Sequence, residues 1–93
     1  MKANEFVKKF GWSSLKIAIR LPQFKRYKYV IFYSDEIDFK NEFDEHYKDY
    51  MFETSEIKQL IEAKELVDYH EGIAVDLLPS YVLDAIQLVE SCQ

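Results

Sequence analysis

Lys16 and Arg20 stand four residues apart, with Ser13 three before Lys16, and Lys25 and Arg26 follow close behind. On a helix the spacing of four puts Lys16 and Arg20 on one polar stripe. Ser13 is placed to cap that helix, and Lys25 and Arg26 to grip phosphates beyond it. A second set carries the opposite sign: Asp35, Asp38, Glu42 and Glu45, with Asp49 beyond. If residues 35–49 were helical throughout, these carboxylates would share one face. A continuous face of that kind can imitate the phosphates of DNA and occupy a host enzyme. The plainer account of each set is a solvated surface.

Other reactive side chains are sparse. His46 and His70 each lie near carboxylates in the sequence, but a metal site would need them to converge from separate elements. Surface histidines on charged helices are far commoner, so no metal is expected. Cys92 is the only thiol; near the chain end it is expected to be accessible and dispensable. With Gly11 and Gly72 the only glycines, no Gly-rich phosphate loop exists. These absences predict a chain without catalytic residues or cofactor. Tyr27, Tyr29, Phe32 and Tyr33 interleave with Lys25, Arg26 and Lys28 in a pattern that suits base stacking. Half of such a strand must face a core, so packing is the simpler account.

Positioning any of these residues requires a folded domain, and the composition supplies one. Of 93 residues, 48% are apolar and 16% aromatic, which suits one domain spanning 1–93. A single cysteine excludes an internal disulfide and fits a reducing compartment. No apolar run is long enough for a membrane span or of signal-peptide type, which predicts a cytoplasmic protein. The net charge of −5 hides a segregation. Lys2, Lys8, Lys9, Lys16, Arg20, Lys25, Arg26 and Lys28 face Glu5 alone in residues 1–28. Nine acids then face Lys40 and Lys48 in residues 29–56. The two blocks either pair with each other or stand exposed.

Asn4 can cap a helix over about 4–10 that Gly11 ends, and Ser13 or Ser14 can cap a second that Pro22 ends by about 21. Alternation of Leu15, Ile17, Ile19 and Leu21 would also suit a strand; Ala18, the serines and the Lys16–Arg20 stripe favour helix. Residues 27–34, YKYVIFYS, read as a strand, with a turn at Ser34–Asp35 and an antiparallel partner in 49–53. Phe39, Phe43 and Tyr47 suggest a short amphipathic helix in 36–46. A longer helix over 55–70 buries Ile57, Leu60, Ile61 and Val67, with the Lys64 stem over the core. A last helix over 79–91 follows Pro79, with Val82, Leu83, Ile86 and Val89 as its stripe. The expected fold is α+β: an N-terminal helical hairpin, a small antiparallel sheet and two C-terminal helices.

Two resemblances follow. Gly11, Trp12 and Ile17 resemble the turn of helix-turn-helix DNA-binding regulators, with Val7 and Arg20 departing from that pattern. ANEFVKKFGW, IKQLIEAKELVDYHEG (57–72) and AIQLVESCQ resemble small accessory proteins of lambda-like phages and enterobacterial prophages. That likeness covers a little over a third of the chain. It implies a cytosolic protein that acts by binding a host factor, and carries over no catalytic residue. The expected function is therefore a non-catalytic phage or prophage module that binds a host protein, with a small helix-turn-helix DNA-binding regulator as the alternative. A homodimer is compatible with either.

Overall fold

The computed structural model describes residues 2–93. It has the expected α+β order, with one added strand. Helix α1 (Ala3–Phe10) buries Ala3, Phe6 and Val7, and Gly11 ends it in the left-handed region, φ 86°. The Gly11 N–H closes the last turn on the Val7 carbonyl at 2.7 Å. Helix α2 (Ser13–Arg20) buries Leu15 and Ala18 while Lys16 and Ile17 stay exposed. Burial three residues apart is helical, and the alternating strand reading of 15–21 is excluded. Leu21 turns extended before Pro22, as a residue preceding proline prefers. A 3-10 turn (Pro22–Lys25) then buries Phe24.

Strands β1 (Tyr29–Tyr33), β2 (Glu36–Lys40) and β3 (Met51–Glu53) form an antiparallel sheet in the order β2-β1-β3. The register pairs Tyr33 with Glu36 and Val30 with both Phe39 and Phe52. The expected helix in 36–46 is thus a strand. Ile37 and Phe39 alternate with exposed Glu36 and Asp38, and pairing with β1 outweighs the four-residue aromatic spacing. Phe43 and Tyr47 sit in the following loop, which folds over the sheet's outer face: Tyr47 packs edge-on to Tyr33 at 5.5 Å and Phe43 on Tyr29 at 6.1 Å.

Helix α3 (Thr54–Tyr69) begins directly after β3. Thr54 is its first residue. Its hydroxyl donates to the Tyr27 and Lys28 carbonyls at 2.9 and 3.1 Å, and its N–H to Lys28 at 2.9 Å, pinning the helix start to the head of β1. Asn4, Ser13 and Ser14 are not caps; Asn4 lies inside α1, and α2 starts at Ser13 without a side-chain cap bond, with Ser14 inside it. Ile57, Leu60 and Ile61 enter the main core with Phe6, Val7, Leu15, Phe32 and Phe52. Lys64 stretches over the Trp12 ring at 6.0 Å and pairs with Asp68 at 2.8 Å.

After a 3-10 turn (Val75–Leu77), α4 (Ser80–Glu90) runs back along α3. Its buried stripe is Val82, Ala85 and Val89; Leu83, expected inside, is exposed. Ala63, Ala85 and Val89 form a second, smaller core with Leu66, Val67 and Trp12. The return of α4 carries Cys92 into the main core at 3% exposure, so the expected accessible thiol is instead buried. Burial raises its pKa above the ordinary value.

Leu15 is fully buried where the helical hairpin meets the core. Leu15→Ala is expected to cost about 2–5 kcal/mol in denaturant melts. A loss below about 0.5 kcal/mol would place another residue at that position in the core. Native Cys92 is expected to react slowly with a neutral thiol reagent near pH 7 and rapidly once denatured. Equal rates in both states would show an undocked chain end.

Candidate functional site

The proposed phosphate-contacting residues are all exposed. Ser13, Lys16 and Arg20 lie along the outer side of α2, Lys25 ends the Pro22–Lys25 turn, and Arg26 follows it. Lys16 and Arg20 border a shallow groove with Ile61, Glu65 and Asp68 of α3. None of the cations at positions 2–28 forms an ion pair with a described residue. Among the described residues, the cations at 2–28 are therefore not neutralised by direct contact with the acids of 29–56.

The acidic residues do not form the single face that a helix over 35–49 would have made. Asp35 stands in the β1–β2 turn, Asp38 on β2, Glu42 in the loop after it, and Glu45 at the start of a 3-10 turn (Glu45–Tyr47). The turn takes two residues in the left-handed region, Ser34 at φ 53° and Asp35 at φ 63°, as a tight two-residue hairpin requires. The loop is tied by Asp44. Its carboxylate accepts from Lys40 Nζ at 2.6 Å and from the His46 N–H at 2.9 Å. The lysine contact, then the backbone N–H, holds the Asp44 carboxyl below its usual range, and the same pair raises Lys40.

The histidines do not converge. The His46 ring stacks edge-on to Tyr47, and His70 Nδ1 lies 2.8 Å from the Leu66 carbonyl. Among the described residues no three His, Cys, Asp or Glu side chains gather as metal ligands would.

What the fold does assemble is a cleft of about 510 Å³ between the helical hairpin and the tip of the β1–β2 hairpin. Phe10, Ser14 and Ile17 form the helical wall; Tyr33, Ile37 and Tyr50 form the sheet wall. Phe6 and Phe32 lie at its floor, and Asp35 and Glu36 make its lip. Phe10, Ile17 and Tyr33 are each about half exposed, although large apolar side chains. The volume falls in the range of ligand pockets, about 300–1,000 Å³. Sequence reasoning used Ile17 as a turn residue and Tyr33 as strand packing. The available signal was that Ile17 falls on the same side of α2 as Ser13, Lys16 and Arg20, so it had to be exposed.

No known protein family, no characterised protein and no solved structure matches this chain. No helix is long and apolar enough to cross a membrane among the described residues.

Asp44 supplies a pH test of the loop that carries Glu42 and Glu45. A carboxyl with a depressed folded pKa stabilises the fold above its unfolded value, near 3.8, and loses that contribution as pH falls through the lower folded value. An NMR titration of the Asp44 carboxyl carbon is expected to show a midpoint below 3.8 that rises in Lys40→Met. An unchanged midpoint in that variant would show that the Lys40 contact is not formed.

Proposed function

We propose that this chain is a non-catalytic binding module that docks a host protein, of phage or prophage origin as its terminal blocks suggest. One observation supports the reading best: Phe10, Ile17 and Tyr33 are held half exposed around one cleft with a carboxylate lip. Apolar side chains on a rigid scaffold, rimmed by charge, are the usual anatomy of a protein-docking pocket. A partner would place an aliphatic or aromatic anchor against Phe10 and Ile17, with a basic or amide group near Asp35 and Glu36. Burial of one such anchor contributes roughly 1.5–3 kcal/mol.

The exposed, unpaired cations of α1 and α2 favour a second reading, DNA binding through the outer side of α2. The cleft argues against it. Asp35 and Glu36 border the same space as Ser14 and Ile17. Duplex DNA laid on α2 would bring its phosphates towards those carboxylates, and like charge there opposes binding.

Capture from a nuclease-treated bacterial lysate, followed by direct titration of the recovered protein, tests the choice. Ile17→Glu is expected to weaken that partner at least tenfold, about 1.4 kcal/mol. Arg20→Ala with Lys25→Ala is expected to change it less than threefold. In a parallel capture without nuclease, recovery of complexes that nuclease abolishes and Arg20→Ala removes, with no protein partner surviving nuclease, would install the DNA-binding reading instead.

A further inference from the structure

The α3–α4 connection is the most apolar exposed part of the molecule. Within nine residues, Ile73 is 45% exposed, Val75 63%, Leu77 76% and Tyr81 58%. With an aromatic side chain offering about 150–250 Å² and an aliphatic one somewhat less, these four leave roughly 400 Å² of apolar surface. Taken together this is comparable to the largest apolar patch of a typical monomer, about 300–600 Å². All four lie between the end of α3 and the first turn of α4, and none of them lines the cleft. The small core behind them is built largely from short side chains, two of its three buried residues being alanines.

We propose that this end of the molecule, residues 73–81, is the contact between two copies of the chain. Two patches of this size meeting across a two-fold axis remove roughly 800 Å² together, the size of a weak, transient contact rather than a permanent one. A two-fold contact needs only the same surface on each copy. The four apolar side chains meet at the axis, and Glu71, Asp76 and Asp84 remain at the rim in water. These rim carboxylates repel their counterparts, since no Lys or Arg follows Lys64. Association through this surface is therefore weak and tightens as salt screens the repulsion. A cationic partner on the same surface would show the opposite salt dependence.

Sedimentation equilibrium of the full chain, over a concentration series at low and high salt, tests this. The expected result is a mass rising from 11.1 kDa towards twice that value, with severalfold tighter association at high salt. Leu77→Ser combined with Tyr81→Ser is expected to weaken association at least tenfold. Asp76→Asn is expected to tighten it at low salt, a gain that a folding defect cannot mimic. A constant 11.1 kDa at every concentration would overturn the proposal. So would association that survives the Leu77→Ser, Tyr81→Ser change, or that weakens with salt.

Discussion

The Phe6 ring joins the two halves of the structure. It stacks on Phe32 of β1 at 5.1 Å and meets Phe52 of β3 edge-on at 5.4 Å, with Phe10 of its own helix at 4.9 Å. Through these contacts the eight-residue helix α1 is seated on a three-stranded sheet that neither element could stabilise alone. A buried phenylalanine of this kind is worth about 3–5 kcal/mol, a large share of the 5–15 kcal/mol that holds a small domain together. The cleft depends on the same ring. Its helical wall comes from α1 and α2 and its sheet wall from β1, β2 and Tyr50, so its width is set by how Phe6 and Phe32 pack beneath it.

The fold was largely legible where local pattern and tertiary packing agree. The YKYVIFYS strand, the helix around Ile57–Ile61 and the glycine that ends α1 each combine a strong local preference with a buried face. Legibility failed where pairing overrode spacing. Phe39, Phe43 and Tyr47 have helical spacing, yet Phe39 is claimed by its register opposite Val30, and the other two rings cover the outer sheet. Cys92 looked free because it is near the chain end; only the return of α4 along α3 reveals that it meets the main core. The cleft was invisible for a related reason. Its walls come from residues well apart in sequence, and nothing local to Ile17 announces Tyr33.

Charge segregation survives folding. Among the described residues the cations at 2–28 stay exposed and form no ion pair, while Asp44, Glu62 and Asp68 each take the lysine four residues before them. Such exposed i,i+4 pairs contribute only a few tenths of a kcal/mol each. The field of the molecule is thus left for encounter rather than stability: basic on α1 and α2, acidic on the hairpin tip and the α3–α4 end. In the docking proposed above, charge of this arrangement would steer association and set its salt dependence, and the half-exposed apolar side chains would supply the affinity.

The seat of α1 on the sheet is the claim on which the cleft and the reading built on it rest, and ring-to-ring nuclear Overhauser effects measure it directly. With selectively labelled phenylalanine, Phe6 ring protons are expected to show strong cross-peaks to both Phe32 and Phe52. Cross-peaks from Phe6 confined to Phe10 and its own helix would contradict the account, because the helical hairpin would then be unseated and the cleft would have no fixed wall.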